Sequence, residues 1–243
     1  MSDLTIIYLT VNRMPGRWME FQLAHMRRAA KNIPIISISR EPIELGHNII
    51  QTEPFGYWNI YRQLCRGATI ADTQYVAVAE DDCLYPPHHF ESFRPPDDAV
   101  SYNRARWSLF VWDPIYCLRQ RVCNCSLIAP RQLVIDAIQE RMEKHPDGDS
   151  LPRTRVGEIG RYRVEKLLGV THRRAVEWYS TAPLVQLNHD DGIDPAQRVR
   201  RKMHGQLRAH DIPYWGKAVD IASVYLGHKT RVPRQHREKT VNV

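Results

Sequence analysis

The 243-residue sequence has no apolar run approaching the ~18 residues that a membrane-spanning helix requires, so no integral membrane contact is expected. It has no internal repeat and no low-complexity stretch, and its 43% hydrophobic and 25% charged content excludes collagen, coiled coil and disordered chain. Its five cysteines (Cys65, Cys83, Cys117, Cys123, Cys125) form an odd set without a CxxC pair, which excludes a disulfide scaffold and suits reduced thiols. Cys117, Cys123 and Cys125 do not have the spacing of a zinc motif. The start, Met-Ser-Asp, lacks the positive segment of a signal peptide, so a cytoplasmic location is expected. What remains is a globular chain long enough to bury roughly three-quarters of its extended surface without a covalent staple.

The charge is uneven. The net charge is +7, yet residues 196–243 hold 11 Lys/Arg against 3 Asp/Glu, so the whole basic excess lies in the last fifth. It falls in two blocks, Arg198, Arg200, Arg201, Lys202 and Arg208, then Lys229, Arg231, Arg234, Arg237 and Lys239. Such clusters dock polyanions by releasing condensed counterions, and they also occur as solvated faces and tails. Charge alone therefore leaves both readings open.

The early pattern is strand–helix–strand. Thr5 to Val11 is short and β-branched, Pro15 suits a first helical turn, and Met19, Leu23, Met26 and Ala30 mark one helix face. Ile33 to Ile38 is a second strand. A loop containing Gly46 and Gly56 leads to a helix from Trp58 to about Ala71. Tyr75 to Ala79 is an uninterrupted apolar run, as expected of a central strand buried on both faces. Strands are also expected at 99–102, 125–128 and 182–187, and helices at 131–144 and 161–168. The predicted fold is α/β, a Rossmann-like, mostly parallel sheet flanked by helices, with one domain over 1–226 and a basic tail over 227–243.

The central strand ends in Glu80-Asp81-Asp82. Ligands of open α/β sheets bind beyond the carboxyl ends of the strands, so these acids stand in a functional position. Packed carboxylates repel and gain protons unless a cation intervenes, and oxygen donors suit Mg²⁺ or Mn²⁺. The stretch Ala77-Val-Ala-Glu80-Asp81-Asp82-Cys-Leu-Tyr85 resembles the DxD-type motif of nucleotide-sugar glycosyltransferases with the A-type fold. Ile6 to Arg13, Leu45-Gly-His-Asn48, Asn59-Ile-Tyr-Arg62-Gln63 and His88-His89-Phe90 are similar to segments of small bacterial and phage glycosyltransferase-like proteins. The resemblance covers residues 5–93 and, more loosely, 182–192. Residue 39-40, Ser-Arg, stands where many relatives carry an acidic turn.

The resemblance implies transfer of a sugar from a nucleoside diphosphate donor, with a UDP-sugar favoured. It implies Asp82 as a direct ligand of Mn²⁺ or Mg²⁺, with Glu80 and Asp81 acting through water or on the ribose. Thr10, Asn12, Arg13, Asn48 and Arg62 would serve the donor. His189, in Asn188-His189-Asp190-Asp191-Gly192, would complete the metal shell, while His88-His89 is placed to contact donor or acceptor instead. An inverting enzyme needs a base for the acceptor hydroxyl, and Glu158 and Asp191 both qualify. Trp107, Trp112, Tyr116, Trp178 and Tyr179 suit core and rim packing, or stacking on a sugar or base.

The acceptor is less constrained. Arg198, Arg200, Arg201, Lys202 and Arg234 suggest DNA, for example the hydroxymethyl group of a modified pyrimidine in phage DNA, reached by base flipping. A cell-envelope saccharide, a metal-dependent nuclease or nucleotidyltransferase, and a non-catalytic binding module are the competing readings.

Overall fold

A computed structural model describes residues 2–119, 121–152, 155–189 and 207–227. Its first half is built from β1 (Leu4–Leu9), α1 (Gly16–Ala30), β2 (Ile35–Ser39), β3 (His47–Ile50), α2 (Tyr57–Ile70), β4 (Tyr75–Glu80), β5 (Cys83–Leu84) and α3 (Pro87–Glu91). The second contributes β6 (Ala99–Asn103), β7 (Arg106–Phe110), β8 (Tyr116–Leu118), β9 (Leu127–Pro130), α4 (Arg131–Lys144), α5 (Tyr162–Leu168), β10 (Arg174–Trp178) and β11 (Leu184–Asn188). β12 (Arg208–Ala209), β13 (Asp211–Ile212), β14 (Gly216–Lys217) and α6 (Ala218–Leu226) complete the described chain.

A seven-stranded sheet runs β10-β6-β9-β4-β1-β2-β3. All its pairings are parallel except those of β9, which is antiparallel to both β4 and β6. The expected mostly parallel α/β fold is therefore the observed one. A second sheet, β12-β8-β7-β11-β5, lies at the end of the first and joins it through the short step from β4 to β5.

Burial on both faces accounts for the apolar runs. Val76 and Val78 of β4 pack with Ile7, Leu64, Ala68 and Ile138 beneath α2 and α4. Ala77 and Ala79 point the other way, with Ile6, Tyr8, Met26 and Phe90 under α1 and α3. The helix α2 approaches closely: a Cβ on Gly67 would stand 2.6 Å from Ile7 Cγ2, so only glycine allows this helix–strand distance. A third cluster, including Trp18, Leu109, Val185, Leu187, Ile221 and Tyr225, fills the space between the second sheet, α1 and α6.

Several local expectations shift. The buried line of α1 is Trp18, Gln22, Met26, Ala29 and Ala30, while Met19 and Leu23 stay half-exposed. The helix turns because Gln22 is drawn inward by hydrogen bonds, accepting from Tyr8 OH at 2.8 Å and donating to the Cys83 carbonyl at 2.9 Å. The region expected as a loop contains β3, a four-residue edge strand whose partial exposure leaves no apolar run to read. β7, β10 and α6 are likewise unanticipated. α6 stops at Leu226 on Gly227, whose φ of 73° is the left-handed cap that glycine favours.

Candidate active site

The carboxyl ends of β1 and β4 lie side by side, with Leu9 paired to Glu80, and open onto a cavity of about 890 Å³. β11 enters from the second sheet, pairing antiparallel with β5 so that Gln186 faces Cys83. The Leu187 amide then donates to the Asp82 carbonyl at 2.7 Å, which fixes Gln186 to His189 beside the acids. Glu80, Asp81, Asp82, Gln186, Asn188 and His189 all line this cavity.

The acidic turn is held by neutral donors. Thr10 Oγ1 donates to Asp81 Oδ2 at 2.5 Å, and the indole of the buried Trp18 donates to the Asp81 carbonyl at 2.8 Å. Asp82 receives Gln186 Nε2 on Oδ2 at 3.2 Å and the Cys83 thiol on Oδ1 at 3.1 Å. Gln186 is oriented in turn by Arg106 Nη1, which donates to its Oε1 at 2.5 Å. No salt bridge reaches Glu80, Asp81 or Asp82 among the described residues. Burial, then the Asp82 charge, pushes the Asp81 carboxyl up to about 7 against the pull of Thr10. Glu80 is driven well above the usual carboxylate range by burial first, then by Cys123, Asp82 and Asp81, with Arg106 opposing.

Oxygens of Glu80 and Asp82 lie within 4.8 Å of each other and of Cys83 Sγ, close enough to share one ion. Carboxyl groups that crowd to the point of retaining protons fit a divalent cation, which removes the repulsion that raises them. His189 lines the cavity, its ring 5.5 Å from that of Tyr225, but belongs to no such donor set among the described residues.

Another part of the lining comes from the segment before α5. Glu158 lines the cavity and accepts Arg161 Nη1 at 2.9 Å. A fully buried ion pair holds the backbone behind it. Arg141 Nη1 donates to the Gly157 carbonyl at 2.7 Å, and its Nη2 reaches Glu165 Oε1 at 3.4 Å. Glu165 also accepts the Gly160 amide at 2.6 Å. Arg121, Arg155 and Arg163 also line the cavity, and Arg13, stacked 4.0 Å over Phe55, stands after β1.

Not every expected residue arrives. Asn48 is a structural clamp: its Nδ2 donates to Ser37 and Ser39 Oγ and its Oδ1 accepts the Ile43 amide, so it does not line the cavity. Arg62 turns away to Asp149 at 2.7 Å, outside the lining. Asn12, with φ 55°, caps the backbone amides of Arg40 and Glu41 through Oδ1, shaping the turn after β1 rather than entering the cavity. His89 is wholly buried, stacked on Trp178 at 5.8 Å and bonded to Asn103, with burial lowering its pKa to about 3, so it touches neither donor nor acceptor. Asp191, Arg198, Arg200, Arg201, Lys202 and Arg234 lie outside the described residues.

Gln186, Arg106 and Trp18 escaped the sequence reading. Gln186 left one signal, an amide flanked on both sides by apolar residues within β11. Of the aromatics, Trp112 lines the cavity and is 37% exposed, whereas Tyr116 is core.

No family model matches the chain, and no curated protein matches it. Among solved structures it is similar to the apo-form glycosyltransferase GlyE of Streptococcus pneumoniae TIGR4, at 11% identity and a TM-score of 0.45, over 72% of this chain and 45% of that one. The chain thus spans less than half the length of GlyE. A glycosyltransferase involved in glycosylation of the major capsid of PBCV-1 matches at 11% and 0.45, over 80% and 96% of the two chains. The mannosyltransferase PcManGT of Pyrobaculum calidifontis, solved with GDP-Man and Mn²⁺, matches at 14% and 0.43, over 83% and 61%. No helix among the described residues is long and apolar enough to cross a membrane.

Proposed function

We propose that this chain is a glycosyltransferase that moves a sugar from a nucleoside diphosphate donor, a UDP-sugar in the first instance, to an acceptor hydroxyl. The observation that carries the reading is the run Glu80-Asp81-Asp82 at the carboxyl end of a central parallel strand, crowded enough to hold protons and facing a cavity of about 890 Å³. That volume accommodates a nucleotide sugar with space for an acceptor.

Asp82 and Glu80 would hold Mn²⁺ or Mg²⁺, with His189 approaching from β11. The bound cation would supply charge neutralisation for the diphosphate leaving group. Thr10 keeps Asp81 in place, and Arg13 is the cation nearest in sequence to the strand end that would meet the donor. Glu158 would be the base; it lines the cavity and is paired with Arg161. Asp191 is the alternative base. The transferase unit would occupy 1–226, with 227–243 as a basic extension.

The acceptor we propose is a hydroxymethylated pyrimidine in DNA, supported by the excess of cations over residues 196–243. The test is release of UDP from a UDP-sugar with Mn²⁺, with and without DNA containing hydroxymethylcytosine. Release that depends on this DNA, weakens steeply with salt and falls on charge reversal of Arg200, Arg201 and Arg234 is the expected result. Donor turnover indifferent to DNA and to those charges removes the DNA acceptor; no donor turnover with any acceptor removes the transferase.

A further inference from the structure

Behind the acidic turn lies a second donor cluster, which shares Glu80 with the acidic set and adds sulfur to it. The Sγ atoms of Cys123 and Cys125 and a carboxylate oxygen of Glu80 lie within 4.8 Å of one another. Cys83 belongs to the neighbouring 4.8 Å set, with Glu80 and Asp82. Three separate pieces of chain converge here: the end of β4, the start of β5, and the 3₁₀ turn Asn124–Ser126 before β9. All three thiols are unbridged.

An independent oddity sits against them. Arg106 is 1% exposed, has no carboxylate within salt-bridge distance among the described residues, and its Nε has no hydrogen-bond partner. Its Nη1 donates to Gln186 Oε1, which the Cys123 thiol also approaches at 3.9 Å, and its Nη2 donates to the Arg121 carbonyl at 3.2 Å. A buried guanidinium without an anion is costly, so neutral thiols are poor company for it.

We propose that Cys123, Cys125 and Glu80 form a site for a thiophilic divalent cation, zinc by preference, with solvent from the cavity as the remaining ligand; it shares Glu80 with the hard-cation set at Asp82 and differs from it in its two sulfur donors. Sulfur and oxygen ligands around tetrahedral zinc stand roughly 3.3–3.8 Å apart, so the observed donors need only a small contraction. On ligation each thiol gives its proton to solvent. Two thiolates and a carboxylate around a doubly charged ion leave an anionic centre, and Arg106 is the buried cation of the right sign beside it. Cys123 lines the cavity and provides the entry path. The bound ion would tie the end of β4 to the turn before β9. The site stands whether or not the cavity takes a nucleotide sugar.

The test titrates the reduced full chain with Cd²⁺, a spectroscopic stand-in for zinc, and follows sulfur-to-metal charge-transfer absorbance in the ultraviolet. One ion per chain is expected, with the band lost in Cys123→Ser, a half-buried position that tolerates the change, and retained in Cys117→Ser and in Asp82→Asn. Zinc should also raise the melting temperature of the wild type and not of Cys123→Ser. Absence of the band in folded wild type overturns the site, as does a band that survives Cys123→Ser.

Discussion

The two sides of the cavity are held in different ways. The acidic floor is fixed by side chains that touch the carboxylates themselves: Thr10 on Asp81, Gln186 and Cys83 on Asp82. The Glu158 wall is fixed from behind, through backbone, by the buried Arg141–Glu165 pair. The floor therefore carries charge that is poorly neutralised and waits for a ligand. The wall carries charge already paired, Glu158 with Arg161, on a segment whose position depends on one interior ion pair. Binding should live on the floor, and stability on the wall.

The sharpest way to break this contrast is Arg141→Met. Removing one partner of a buried pair leaves Glu165 uncompensated, and a loss of about 3–5 kcal/mol in denaturant unfolding is expected. Metal and nucleotide binding by the surviving folded fraction should stay unchanged, because the floor does not use Arg141. Glu158→Gln tests the wall's chemical role. If Glu158 is the base, kcat should fall by roughly 10²–10⁴-fold with donor affinity intact, whereas a fall in donor affinity alone would move the residue to a binding role.

The floor has a pH signature. The folded-state pKa of Asp81, about 7, exceeds its ordinary value of 3.8, so between those values the folded chain holds a proton that the unfolded chain has lost. Stability contributed by this group is complete below about pH 4 and declines as pH rises through about 7. Melting temperatures in EDTA should follow that decline, Asp81→Asn should flatten it, and Mn²⁺ should reverse it in the wild type. The smallest effect is expected at Arg62→Ala. Its bond to Asp149 is a partly exposed ion pair worth about 0.2–1 kcal/mol, and nucleotide affinity should not move.

The same contrast explains what the sequence revealed. The floor was legible because β4 is buried on both faces, which writes a continuous apolar run, and because three acids end it abruptly. The wall was only half legible. Glu158 could be named, but Arg141 reads as one more helix charge until the fold buries it against Glu165. Contacts between distant strands were invisible: Gln186 reaches Asp82 only because β11 pairs with β5, and Glu80 meets Cys125 only because β9 is inserted beside β4. Polar residues near the motif misled in the opposite direction. Asn48 and Asn12 carry the chemistry of ligand contacts, yet their hydrogen bonds are consumed by the backbone turns that shape the site.

The most direct test of the central claim is thermal unfolding of wild type and Asp82→Asn with UDP, GDP and CDP, each with Mn²⁺ and with EDTA. A nucleotide that binds only the folded state stabilises it by about 2.7 kcal/mol at a hundredfold excess over its dissociation constant. The account predicts a rise in melting temperature for UDP that requires Mn²⁺ and disappears in Asp82→Asn. A folded wild-type protein whose melting temperature is indifferent to all three nucleotides, with or without the metal, would contradict it.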